Sequence, residues 1–178
     1  MRVSGRQTFE ALVLPHLDAA YNLARWLLRD VAAAEDAVQE ASLRAFRYID
    51  SLRGDDARAW LLGIVRNTCF TVLERRRNGP EVVEFDETEF EAALGATERS
   101  SSDPAALLEQ RKLRTLLDAA IRALSPALRE VLVLREFEDL DYAQIAQIAA
   151  VPVGTVMSRL SRAREKLRSV LSQSNLGH

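Results

Sequence analysis

Pro152 narrows the folds open to this chain more than any other residue, because it falls between two apolar stripes of helical period. Upstream of it, Asp141 is a good helix N-cap, and Gln144 three places on can return a bond to the cap's own N–H, so DYAQ reads as a capping box. The helix that starts there carries Ile145, Ala146, Ile148 and Ala149 on one face for about two turns. Pro152 ends it, since a proline has no N–H to donate and its ring clashes with the preceding turn. Beyond it, Val156, Leu160, Ala163, Leu167 and Val170 recur at spacings of three and four, with Thr155, Ser158, Arg159 and Arg162 facing away. The pattern predicts a helix-turn-helix with a basic second helix. Such a helix fits the DNA major groove, where Arg bonds guanine edges and Ser or Thr reaches bases or phosphates.

Two amphipathic helices around a proline also occur in ordinary bundles, and an exposed Arg is often merely solvated. Local charge separates the two readings. Arg159, Arg162, Arg164, Lys166 and Arg168 stand against the single acid Glu165, in a chain whose formal net charge is -2. That contrast favours DNA binding, with Thr155, Ser158, Arg159, Arg162 and Lys166 as the contacting residues.

At 178 residues the chain can hold one ordinary domain or two small ones, and its sparse Gly, Pro and aromatics favour long helices over sheets. No apolar run reaches membrane-spanning length, and MRVSGRQTFEALVLPH lacks a cleavable-signal pattern, so a cytoplasmic protein is expected. The one cysteine, Cys69, has no partner for an internal disulfide. With only His16 and His178 beside it there is no zinc spacing, and neither a metal nor any other cofactor is expected. Cys69 reads as a small buried apolar residue, and His16 as a histidine packed at the core's edge.

Taken in order, Phe9, Leu12, Val13, Leu17, Ala20, Leu23, Ala24 and Leu27 follow a helical stripe, with Pro15 bending or restarting the helix. A second helix, roughly Ala32 to Arg47, buries Ala34, Ala37, Val38, Ala41 and Ala45. Its other face carries Glu35, Asp36, Gln39 and Glu40 near the N-terminus, where the helix dipole alone would favour negative charge. A loop from about Asp50 to Asp56, with Arg53 in it, leads into a third helix, ARAWLLGIVRNTCFTVLERRR. Leu61, Ile64, Val65, Thr68, Cys69 and Val72 point inward, and Arg58, Arg66, Asn67, Phe70 and Arg75 form a basic face. Cations interleaved with Trp60 and Phe70 suit unpaired bases, which stack on rings while cations hold phosphates.

Asn78-Gly79-Pro80 breaks that helix, and residues 78–110 read as an acidic linker, partly helical around Phe85 to Leu94. Fully extended it would reach about 110 Å, against roughly 70 Å for two turns of DNA. A second domain is expected from Arg111, with Leu113, Leu116, Leu117, Ile121 and Leu124 on one helix. Ser125-Pro126 would cap the next, lined by Leu128, Val131 and Leu132. The expected fold is thus all-α: two small helical domains, residues 1–77 and 111–178, with separate cores that need not pack together when free. Leu62, Phe70 and the face of Met157 would then be exposed.

Three stretches together, AEDAVQEASLRAF, AWLLGIVRNTCFTVLERRR and LSPALREVLVLREFEDLDYAQIAQIAAVPVGTVMSRLSRAREKL, resemble a bacterial RNA polymerase sigma factor of the extracytoplasmic-function group. They lie in that family's order and cover nearly the whole chain apart from the linker. The resemblance implies a promoter-specific initiation factor with no catalytic residues of its own. It implies that Glu35, Asp36, Gln39 and Glu40 dock on core RNA polymerase. It implies that Arg53, Arg58, Trp60, Arg66, Asn67, Phe70 and Arg75 meet the melted minus-ten element, that the helix after Pro152 reads the minus-thirty-five element, and that an anti-sigma protein controls the whole. Ala150, Ser125, Met157 and Ser42 depart from the family pattern, where Gly, Pro, Lys and an aromatic are frequent. Ala150 matters most, because Gly tolerates positive φ and Ala does not. A dimeric helix-turn-helix repressor or a response-regulator output domain would explain the C-terminal half but leave the acidic patch and the Arg66-Asn67 face unused. A metal-dependent enzyme would need ligands beyond Asp36 and Glu40.

Overall fold

The computed structural model describes residues 5–79 and 103–175, and its regular structure is helical throughout those residues. In the N-terminal half, α1 (Gly5–Leu12) runs into a 3₁₀ turn at Leu14–His16, where Pro15 interrupts the helical ladder, and α2 (Leu17–Leu28) resumes the same stripe. Arg29 leaves α2 in the left-handed conformation at φ 54°, and Asp30 opens α3 (Val31–Arg47) by accepting a 3.0 Å bond from the Ala33 N–H. A second 3₁₀ turn, Ile49–Ser51, and a short loop lead to Asp56, which caps α4 (Ala57–Asn78) through the Ala59 N–H at 2.9 Å.

In the C-terminal half, α5 (Pro104–Arg122) starts seven residues before the expected boundary at Arg111. The reason is local: Asp103 accepts from the Ala105 N–H, and Pro104 fills the first turn, where no N–H is needed. The partial helix expected around Phe85 to Leu94 lies outside the described residues. Ser125 occupies the N-cap of α6 (Pro126–Glu136), yet its hydroxyl makes no cap bond. The helix-turn-helix is α7 (Tyr142–Ala149) and α8 (Val153–Asn175). No described helix is long and apolar enough to cross a membrane.

Packing follows side-chain size. Ala34, Ala37, Ala41 and Ala45 are the buried residues of α3, and with so little side chain between the backbones α3 lies close against α2 and α4. Cys69 is fully buried on α4, and burial pushes its thiol up to about 12, so it behaves as an apolar residue.

Separate cores were expected, but among the described residues the buried side chains of the two halves form one continuous cluster. Trp26 and Leu27 of α2, Leu62 and Val65 of α4, and Leu134 of α6 belong to one continuous buried cluster, and α2 packs on α6 while α4 packs on α7. Leu62, expected at the surface, is fully buried, because it shares a face with Arg58 and Arg66 at i, i+4 and i+8 and that face meets the C-terminal half. Trp26, which the stripe did not single out, is buried and stacks on Phe137 at 5.3 Å. Leu12 and Leu113, expected inside, stand partly or largely in solvent. Met157 is exposed as expected.

Arg129 shows how tightly the halves are joined. It is almost fully buried, and its guanidinium donates to the carbonyls of Arg122 at 2.7 Å, Leu124 at 3.2 Å and Leu27, in the other half, at 3.4 Å. Those carbonyls end α5 and α2, where the helix dipoles are negative. Burial, reinforced by the neighbouring charge of Arg29, lowers its pKa to about 10, still far above neutrality.

Candidate nucleic-acid interface

Asp141 and Gln144 form the reciprocal capping box that sequence predicted, at 2.8 and 3.0 Å. Ala150 then takes φ 54°, ψ 45° and donates its N–H to the Ala146 carbonyl, so this turn does need the left-handed conformation and an alanine supplies it. Val156, Leu160 and Ala163 are buried beneath α8, which fixes the helix's rotation. Ser158, Arg162 and Lys166 are therefore exposed, and Thr155 and Arg159 are half-buried. Arg159, Arg162, Lys166 and Glu165 line one side of a groove of about 650 Å³ whose other side is Ser125, Ala127 and Leu128 at the start of α6.

The residues expected at the melted strand divide into two sets. Trp60 and Asn67, seven residues apart on α4, line an open groove of about 260 Å³ together with Ile64, Arg44, Tyr48 and Ser51. Sequence reasoning missed the last three, although an aromatic beside the 50–56 loop is a usable signal. Arg53 and Arg75 are also exposed. The second set faces the C-terminal half and is occupied. Arg66 makes a two-pronged pair with Glu130, Nε to Oε2 at 2.8 Å and Nη2 to Oε1 at 3.2 Å, and lies over the Phe70 ring at 3.9 Å. Arg58 donates to the Glu138 carboxylate at 2.8 Å and to its carbonyl at 2.9 Å.

Glu130 is the most deeply buried charged residue among the described residues. It is fully buried on α6, and besides Arg66 it has the Nη1 of Arg159 at 3.6 Å from Oε1. Burial pushes its carboxyl up, and the bonds and charge of Arg66, then the charge of Arg159, pull it back down. On α3, by contrast, Glu35, Asp36, Gln39 and Glu40 all project into solvent, with Glu40 paired to Arg44 one turn on.

Comparison with known proteins fits this division. The family model for sigma-70 region 2 matches residues 12–79, and that for sigma-70 region 4 matches residues 114–167. The RNA polymerase sigma-H factor of Pseudomonas aeruginosa is 34% identical over 170 residues, which cover 93% of this chain and 87% of that protein. This chain belongs to the sigma-70 family of RNA polymerase sigma factors. Its place in the extracytoplasmic-function group is supported by the ECF RNA polymerase sigma-E factor of Escherichia coli K12, 40% identical over 134 residues, or 74% of this chain and 70% of that one. Among solved structures, the sigma factor RpoE from Bartonella quintana, crystallised with the anti-sigma factor NepR, is similar at a TM-score of 0.73 and 27% identity. That likeness covers 92% of this chain and 96% of the other, so it spans both halves. As a sigma factor the chain is a DNA-binding initiation factor and not an enzyme. The region 2 match spans α2–α4, and the region 4 match runs from within α5 into α8.

Proposed function

We propose that this sigma factor docks on core RNA polymerase through Glu35, Asp36, Gln39 and Glu40, and directs promoter-specific initiation in the cytoplasm. The loop at Arg53 and the face of Arg58, Trp60, Arg66, Asn67, Phe70 and Arg75 take the melted minus-ten element, where capturing an unstacked base costs a few kcal/mol that stacking and phosphate contacts offset. Thr155, Ser158, Arg159, Arg162 and Lys166 read the minus-thirty-five element. The observation that carries the reading is one chain presenting an exposed acidic face on α3 and a capped helix-turn-helix with exposed cations on α8. Run-off transcription with purified core polymerase, followed by start-site mapping, tests it. Initiation at defined sites is expected, and core polymerase that stays silent in its presence would refute it.

An anti-sigma domain is the proposed regulator. The likeness to a sigma factor crystallised with an anti-sigma partner supports this, because it extends across both halves and so includes their arrangement. Such a domain would contact both halves, cover Asp36 and Glu40, and leave the DNA faces turned toward each other. Hydrogen exchange with and without the partner should show protection in α3 and in the C-terminal half together.

A further inference from the structure

The contact between the halves is built from acids of one half and N–H donors of the other, two of which, Arg58 and Arg66, belong to the face read as DNA-binding. Glu130 is its centre, since its two oxygens take a fork from Arg66 of α4 and lie 3.6 Å from Arg159 of α8. A carboxylate so held offers these arginines the charge and paired acceptors that a DNA phosphate would offer. The pattern repeats around it: Glu138 binds Arg58 and accepts from Asn22 at 2.6 Å, and Asp56 accepts from Gln144 at 2.9 Å. A fully buried carboxylate is costly to leave unpaired. If DNA took Arg66 and Arg159 while the halves stayed together, Glu130 would be left in that condition. Closure and DNA binding therefore compete for Arg66, while Glu130 keeps Arg159 of its own half beside it.

We propose that Glu130 is an internal substitute for the DNA backbone: it holds the free protein closed and self-inhibited by occupying Arg66 and Arg159, one arginine from each DNA-binding half. This rests on the reading of α4 and α8 as DNA faces. The docking face on α3 takes no part in the lock, so polymerase can engage a closed chain, and the halves must part before the promoter is read.

Full-length Glu130→Gln, which keeps the shape and removes the charge, tests the lock. Small-angle scattering of the free protein should show a larger radius of gyration. Without polymerase, a labelled DNA carrying a mapped promoter with a pre-melted bubble should bind at least about tenfold more tightly, because apparent affinity scales with the fraction of open molecules. Glu138→Gln should shift both readouts the same way and less, and it decides the matter if circular dichroism shows the first variant unfolded. Variants that stay as compact as the parent overturn the lock. Opening without tighter DNA binding overturns self-inhibition and places the fault in the reading of α4 and α8 as DNA faces.

Discussion

The acidic face of α3 and the basic face of α4 belong to the same three-helix packing unit, carry opposite charge and meet opposite fates. Glu35, Asp36, Gln39 and Glu40 stand in solvent, whereas Arg58 and Arg66 are paired with acids of the C-terminal half and Leu62 between them is fully buried. The difference lies in what each face can tolerate. An acidic patch on a helix's first turns is satisfied by water and by the dipole, so it can wait uncovered for a partner. A face that mixes arginines with Leu62 and Phe70 has apolar area to remove from water, and α6, α7 and the turn between them supply both the cover and the counter-charges. The chain thus leaves its proposed polymerase surface open while it closes the face proposed to meet DNA.

The largest expected effect tests the open face. Reversing Asp36 and Glu40 to Lys together should cost more than about 3 kcal/mol of polymerase affinity, a hundredfold or more, because like charges would then meet across the docking site. The fold should survive, since the exposed Glu40–Arg44 pair is worth only about 0.3–0.5 kcal/mol. Circular dichroism and a core-polymerase pull-down on the double variant check both parts. Retained binding would reduce the patch to dipole complementarity.

The closed face is tested by Arg129→Met. Removing the guanidinium takes a donor from the Leu124 and Leu27 carbonyls in a dry site and leaves the Arg122 carbonyl to Arg29 alone, and about 3 kcal/mol of stability should go with it. Because Leu27 and Arg122 lie in different halves, urea unfolding of the parent followed at Trp26 and by helix content should give one coincident transition. Two separated transitions would mean that the halves touch without sharing stability.

Much of this was legible in the sequence, and the rest was hidden for physical reasons. The capping box at Asp141, the stop at Pro152, the stripe of α8 and the acidic face of α3 are local, and each is set by neighbours within a turn or two. The arrangement of the halves is not local. Expected to be lined on one side by Leu128, Val131 and Leu132, α6 is instead buried from Leu128 to Leu134, including Arg129 and Glu130. The run VLVL was the available sign, because four consecutive apolar residues exceed one helical stripe and point to cover on more than one side. Once α6 is enclosed, Arg129 and Glu130 must find partners, and besides those in their own half they find Leu27 and Arg66 in the other. The residues proposed to face DNA were picked out by type and spacing. Spacing alone could not tell that Trp60 and Asn67 would line an open groove while Arg58 and Arg66 were taken.

A smaller effect separates two arginines that look alike in the sequence. Arg159→Ala and Arg162→Ala should each weaken promoter use by about 1–3 kcal/mol if each loses a two-pronged base contact. Arg162 is exposed, whereas Arg159 also lies beside Glu130, so only Arg159→Ala should in addition loosen the closed form. Transcription from a mapped promoter, set beside scattering of the free protein, distinguishes the two. Equal changes in both readouts would detach Arg159 from the closed state.

The smallest expected effect concerns the turn of the helix-turn-helix, which stays put whether the halves are open or closed. Ala150 holds φ 54°, and a left-handed conformation costs a residue with a Cβ roughly 1–2 kcal/mol relative to its helical alternative. Glycine escapes that cost but gives up more freedom on folding, so part of the gain is lost through the unfolded chain. Ala150→Gly should therefore stabilise the protein by about 0.5–1 kcal/mol, read as a higher urea midpoint at unchanged slope. Its N–H bond to the Ala146 carbonyl and the entry of α8 should be preserved, since neither involves the methyl group. Promoter preference and the compactness of the free protein should then match the parent. A loss of stability instead would mean that the alanine methyl contributes packing that outweighs its backbone strain.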